Sequence, residues 1–244
     1  MQNKIKTFIR VFVNEGGYRE VLVGLRNTLL IAVLGLVIGI VIGTVIAAIR
    51  VMPKYKRLPR VLDKICQVYV GFFRGTPMVV QLLLFWYVLL PLMGVNMPAL
   101  VIGNFIIGPE VWASIIVFGL NSGAYISEIM RGGILSVDYG QTEGGRSVGL
   151  SYGVTMLKIV IPQAVKNILP TMGNEFITLI KETSIVSFIG ATDLYKTFND
   201  MGSNTYEFMV PYLVMGIIYI LLVSVIALGI KLMERRLARS DRNH

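Results

Sequence analysis

Long uncharged runs separated by short basic clusters dominate the hydrophobic pattern. Residues 27–49 read NTLLIAVLGLVIGIVIGTVIAAI without a charge, which predicts a first membrane span. Gly35, Gly39 and Gly43 recur every four residues along it, a stripe that lets a second helix approach closely. No charge occurs between Gly75 and Pro109, a stretch too long for one span and too short for two. Pro91, Gly94, Asn96 and Pro98 interrupt it, so we expect a span over about 68–92 and then an outer segment that dips into the interface. A third span is expected over about 111–130 and a fifth over about 208–232. The fourth, about 163–189, is the least apolar; it contains Pro170, Asn174, Glu175, Lys181 and Glu182. Charges at membrane depth are costly and face a bundle interior or a wet cavity. The expected fold is all-α, a polytopic membrane helix bundle of about five transmembrane helices.

Charge orients the bundle. The 50–64 loop carries Arg50, Lys54, Lys56, Arg57, Arg60 and Lys64 against Asp63 alone, and is placed in the cytoplasm. The 131–158 stretch returns to that side, and the 190–207 segment, acidic except for Lys196, suits the outside. Three parts follow: an amphipathic segment at 1–26 lying on the membrane surface, a transmembrane domain at 27–232 with a polar loop at 138–160, and a basic cytoplasmic tail at 233–244. Five spans put the N-terminus outside, although Lys4, Lys6, Arg10, Arg19 and Arg26 pull the other way.

Composition closes off other classes. Hydrophobic residues make up 55% of the 244 and charged residues 15%, too apolar for an ordinary soluble domain. The net charge of +9 lies in inter-span clusters without aromatic interleaving, which argues for lipid headgroups rather than nucleic acid. One cysteine, Cys66, excludes an intramolecular disulfide, and one histidine, His244, excludes a Ser-His-Asp triad and a paired-histidine metal site. No GxxxxGK[ST] sequence is present, so no P-loop ATPase is expected in the chain itself. The start, MQNKIKTF, is polar and lacks a small-residue cleavage site, so no removable leader is expected.

Residues 143–162, EGGRSVGLSYGVTMLKIVIP, carry the function. They resemble the signature loop of ABC importer permeases: Glu-Ala-Ala, three residues, Gly, nine residues, Ile-x-Leu-Pro. Glu143, Gly144 and Gly145 fill the triplet, Gly149 follows, and Ile159, Ile161 and Pro162 close the pattern. Two glycines in place of alanines cost roughly 1–2 kcal/mol in a helix. The coupling helix is therefore expected to start near Arg146 or to be ordered only by its partner. Three further stretches resemble elements of the polar amino acid branch: RGTPMVVQ at 74–81, YISEIMRGGI at 125–134 and NEFITLIKETS at 174–184, with Glu182 where Asp is usual.

The resemblance implies a type I ABC importer transmembrane domain in a bacterial cytoplasmic membrane, moving polar amino acids by alternating access. It implies a second permease subunit, identical or homologous, two ABC ATPase subunits that use ATP and Mg, and an external solute-binding protein. This chain would bind no cofactor and hydrolyse nothing. Glu143, Gly144, Gly145, Arg146, Gly149 and Leu150 would contact the ATPase. Candidates for the substrate pathway are Thr76, Gln81, Asn174, Lys181, Glu182 and Ser184, polar groups at membrane depth. Lys181 with Glu182 reads equally as an inter-helix salt bridge, and Thr76 equally as a cap at a kink. Glu128 and Arg131, three apart, are expected to pair as a structural or gating contact. An ion-coupled secondary transporter would also explain the buried charges, but it leaves the 143–162 loop unexplained and needs a repeat not evident in the sequence.

Overall fold

The computed structural model describes residues 2–103 and 105–241, without the side chains of 102, 105 and 237–241. His244 and the last residues of the basic tail lie outside them. A short helix α1 (Gln2–Ile9) precedes the long α2 (Gly17–Val51). Then come α3 (Arg57–Gly75) and α4 (Met78–Leu92), a two-stranded antiparallel hairpin of β1 (Leu100–Ile102) and β2 (Phe105–Ile107), and α5 (Pro109–Leu135). The 138–160 loop supplies α6 (Tyr139–Ser147) and α7 (Tyr152–Thr155). A π turn, Met156–Val160, leads into α8 (Ile161–Glu182), followed by the 3₁₀ segment Thr183–Ile189, α9 (Leu194–Thr205) and α10 (Met209–Asp241).

By length and composition, α2, α5 and α10 can each cross a membrane, and the pair α3–α4 can supply one more span broken by a 105° bend. Helix α8 is long enough but not apolar enough to meet the same measure. Several boundaries differ from the sequence reading. Helix α2 starts at Gly17, inside the 1–26 stretch expected to lie on the membrane surface, and a separate short helical segment ends at Asn14. The second span begins within a helix that reaches back to Arg57 and breaks at Thr76–Pro77. The residue before proline is held extended there (Thr76 φ −119°, ψ 144°), which stops α3. The outer segment pairs with itself as the β1–β2 hairpin.

The glycine stripe organises the centre. A Cβ on Gly39 would lie 2.7 Å from Ser122 Oγ, and one on Gly43 2.7 Å from Ile126 Cγ2. Helix α5 returns the approach: Gly119 faces Ile38 and Gly123 faces Ile42 at similar range. Small residues on both helices thus let α2 and α5 run side by side, as van der Waals packing in lipid requires. Ile31, Leu82, Phe118, Leu179 and Val186 fill the core where α2, α4, α5, α8 and the 3₁₀ segment meet.

At one end of the bundle α9 is sewn to α2. Asn27 Nδ2 donates to the Thr192 carbonyl at 2.7 Å, and the Leu194 N–H donates to Thr28 Oγ1 at 3.2 Å. Helix α1 lies at this same end, with Lys4 Nζ 2.8 Å from Glu207. The leader therefore shares the side of the 190–207 segment, opposite α6. Asp193 caps α9 by accepting from Tyr195 N and Lys196 N, yet it is wholly buried, and burial pushes its carboxyl up to about 6. A carboxyl held above its unfolded value of about 3.9 means that folding takes up a proton between roughly pH 4 and 6. Stability should fall as pH rises through that window and then level off. Asp193→Asn keeps a good cap and should flatten the profile, gaining on the order of 2 kcal/mol at neutral pH. Thermal unfolding of the purified chain in detergent at pH 4.5 and 7.5 reads this; a mutant that keeps the wild-type slope would refute the assignment.

Candidate functional site

The 138–160 loop forms a helix with its own cap. Asp138 accepts from the Gly140 N–H at 2.6 Å and starts α6, so both glycines of the EGG triplet lie inside the helix rather than before it. The start is therefore at Tyr139, not near Arg146. Gly149 adopts φ +85°, and the chain reverses through paired bonds: Leu150 N to Gly145 O and Gly149 N to Arg146 O, both 3.1 Å. This closure satisfies the carbonyls at the helix end and is open to glycine at least cost. The two glycines differ. Gly145 is buried, and a Cβ there would come within 2.6 Å of Thr155 Cγ2; it is the point where α6 lies on α7. Gly144 faces open space. Glu143, Arg146 and Ser147 project from the free face, and Leu150 is half-buried.

Behind α6 is a cavity of about 650 Å³ whose lining includes Arg50, Arg131, Asp138, Thr142 and Tyr152. Tyr152 donates its hydroxyl to the Val51 carbonyl at 3.0 Å, fastening the loop to the end of α2. Glu128 and Arg131 meet at 2.8 Å, and Arg50 engages the second oxygen of Glu128. Arg50 also lies 3.8 Å from Asp63, which pairs with Lys54. An alternating chain of charges therefore joins α2, α3 and α5 at this end.

Helix α8 carries the pathway candidates. Gln163, Asn167, Thr171, Asn174 and Lys181 are exposed, and with half-buried Thr178 they form one stripe at three- and four-residue spacing. The opposite face buries Ala164, Ile168, Leu179 and Ile180. A polar stripe on a helix at membrane depth must face protein or a wet passage, since lipid cannot satisfy it. Its lower end is tied to the loop: Gln163 Nε2 donates to Gln141 Oε1 of α6 at 3.2 Å, and Asn167 Nδ2 to Ser136 Oγ at 3.0 Å. Lys181 and Glu182 diverge, Lys181 on the stripe and Glu182 half-buried beside it; among the described residues neither makes an ion pair. Ser184 donates to the Lys181 carbonyl and lines a separate outer cavity of about 300 Å³ with Tyr195, Lys196 and Asn199.

Thr76 and Gln81 fall at the α3–α4 bend. Gln81 Nε2 lies 2.8 Å from the Phe73 carbonyl and from Thr76 Oγ1, and Asn121 Nδ2 donates to Gln81 Oε1 at 2.9 Å. Thr76 Oγ1 donates to the Phe72 carbonyl. Their polar atoms are thus engaged with carbonyls that the broken helix sets free, with each other and with Asn121.

Two charged residues at this depth are absent from the sequence candidates, although both stand in the 74–81 and 174–184 motifs. Glu175 lies two turns below Glu182 on the same face of α8, beside Ser122 of α5. Arg74 sits at the bend. A guanidinium at the bilayer centre costs roughly 2.5–3.5 kcal/mol even on the lenient insertion scale, and both positions announced themselves as charges between apolar runs.

A family model described as the inner membrane component of binding-protein-dependent transport systems matches residues 35–239. The chain is similar to the arginine transport system permease protein ArtQ of Bacillus subtilis (strain 168), 38% identical over 177 residues, 72% of this chain and 76% of that one. It is also similar to a putative glutamine transport system permease protein GlnP of Rickettsia bellii (strain RML369-C), 35% identical over 73% and 77% of the two chains. The L-cystine transport system permease protein TcyB of Bacillus subtilis (strain 168) is 35% identical over 74% and 72%. Among solved structures, an amino acid ABC transporter with histidines aligns at TM-score 0.79 and 35% identity, covering 90% of this chain and 94% of that chain. The MetNI methionine transporter in an inward-facing form shares the fold, at TM-score 0.72 and 17% identity.

Proposed function

Because the chain belongs to the family of inner membrane components of binding-protein-dependent transport systems, we propose that it is the permease subunit of an ATP-binding-cassette importer that moves polar amino acids across a bacterial cytoplasmic membrane. One observation carries the reading: an exposed, self-capped helix is hydrogen-bonded directly to the helix bearing the polar stripe. The free face of α6 would seat in a partner ATPase. Closure of two ATPases on ATP and Mg would draw two α6 helices together, and the Gln141–Gln163 and Ser136–Asn167 contacts would pass that motion to α8. The stripe would then face alternately inward and outward between this chain and a second permease subunit, identical or homologous. An external solute-binding protein would deliver the amino acid. The chain itself contributes binding and movement, and its partners hydrolyse ATP. The names of the relatives, arginine, glutamine and cystine permeases, support amino acids as the substrate class.

Reconstitution tests this. Permease, ATPase and binding protein in proteoliposomes should accumulate radiolabelled arginine, glutamine or cystine only with ATP on the ATPase side. Accumulation on an ion gradient without ATP would replace this reading with an ion-coupled carrier. Within it, Lys181, Asn174 and Glu182 are the pathway residues we assign to substrate. Glu182 places a carboxylate where a cationic side chain would be favoured. Glu182→Gln should lower arginine uptake relative to glutamine by about tenfold, the effect of one charge-assisted contact of roughly 1.4 kcal/mol. An unchanged ratio removes Glu182 from substrate contact.

A further inference from the structure

Helix α5 is long and apolar enough to cross a membrane, and the α3–α4 bend is level with its middle, which puts the bend near the bilayer midplane. Asn121 stands halfway along the 27 residues of α5, and its Nδ2 donates to the Phe73 carbonyl at 3.2 Å. Arg74 follows Phe73, so its guanidinium leaves the backbone near the bilayer midplane. There it lies over the ring of Tyr125, 5.3 Å from the centroid, one turn along α5. That stacking keeps the group at its level instead of letting it reach up or down toward water. Among the described residues Arg74 makes no hydrogen bond and no ion pair, and it is exposed. The neighbouring carbonyls do not serve it: Phe72 accepts from Thr76, and Phe73 accepts from both Gln81 and Asn121. The polar side chains of Thr76, Gln81 and Asn121 are satisfied at the bend, and the guanidinium is left over.

A cation at this depth that pairs with no carboxylate among the described residues calls for an anion from outside the chain. Lipid phosphates lie about 15 Å away, at the edge of a hydrocarbon core about 30 Å thick. The anion that reaches the midplane of an amino acid permease is the substrate's own carboxylate. We propose that Arg74 binds the α-carboxylate of the amino acid in transit, an inference that rests on the amino acid import proposed above. Guanidinium and carboxylate match as a planar bidentate pair. The α-carboxylate is common to every amino acid, so Arg74 reads the class and leaves the side chain to α8. Tyr125 holds the guanidinium plane ready, which makes it a positioning residue.

The test is equilibrium binding to the purified permease–ATPase complex without the external binding protein. The probes are L-arginine, L-glutamine and L-histidine, each beside its own carboxamide. The wild type should bind each amino acid that it accepts at least tenfold more tightly than the matching carboxamide. Arg74→Gln should weaken those amino acids alike, by about thirtyfold, and leave the carboxamides nearly unchanged; Arg74→Lys should recover part of the loss. Size-exclusion chromatography of both variants checks that the subunits remain assembled. Equal loss for acid and carboxamide would show a structural role and overturn the proposal, as would loss confined to one side chain or no loss at all. In those cases the importer reading stands. A wild-type complex that neither binds nor accumulates any amino acid would instead overturn the importer reading, and this inference with it.

Discussion

Gly39→Leu is expected to separate α2 from α5 and to lower the thermal unfolding midpoint of the purified chain by about 10 °C. The Cβ alone would lie 2.8 Å from Ser122 Cβ and 3.1 Å from the Gly123 N–H, which is backbone on a helix locked in place by its own packing. Neither group can rotate away. Overpacking of this kind costs roughly 1–3 kcal/mol, and close helix approach is what replaces the hydrophobic drive inside a bilayer. About 3 kcal/mol translates to roughly 10 °C for a chain of this size. Gly71 supplies the control. It lies in α3 with open space where a Cβ would sit, so Gly71→Ala should raise stability slightly through helix propensity. If both variants melt with the wild type, the stripe is incidental.

This stripe was legible in the sequence because glycines four apart in an uncharged run fall on one face of a helix and clear room there for a second backbone. The ends of α2 and α5 were harder. Polar residues such as Arg19 and Glu20 fall within the α2 helix, where its N-terminal turns pack on α9 through Gly24 and Asn27 rather than on lipid. The 105° bend was half legible: Thr76 read as a cap at a kink, but nothing local said that Gln81 and Asn121, forty residues apart, would cap it together. The same long-range pairing engages the polar atoms of Thr76 and Gln81, which the sequence offered as pathway candidates, with backbone carbonyls, each other and Asn121. Helix α8 was the least apolar of the expected spans because its polar positions form one stripe and its buried positions the opposite face, a division that average hydropathy conceals. The start of α6 was hidden for a different reason. Propensity counts each glycine as a cost, but Gly145 stands where a Cβ would collide with Thr155, so tertiary contact outweighs propensity there.

That contact makes the proposed coupling role of α6 testable from both of its faces. With α6 as the ATPase contact proposed above, Glu143→Arg should lower amino acid uptake by tenfold or more while the assembled complex still hydrolyses ATP. Glu143 is exposed and makes no ion pair among the described residues, so the change leaves the fold of α6 alone and reverses charge only toward the partner. Gly145→Val attacks the other face. Its branches would drive into Thr155 Cγ2, already 2.6 Å from an added Cβ, and lift α6 from α7. Uptake should again fall by at least tenfold, now with a weakened Gln141–Gln163 link. A compensating change separates the two cases. Gly145→Ala should impair uptake in the wild-type background. Combined with Thr155→Ala, which removes both atoms nearest the new Cβ, it should recover most of the activity, a coupling of order 1–2 kcal/mol by double-mutant cycle. Glu143→Arg should gain nothing from Thr155→Ala. Recovery of both, or of neither, would show that α6 does not work as a helix held against α7 on one side and an ATPase on the other.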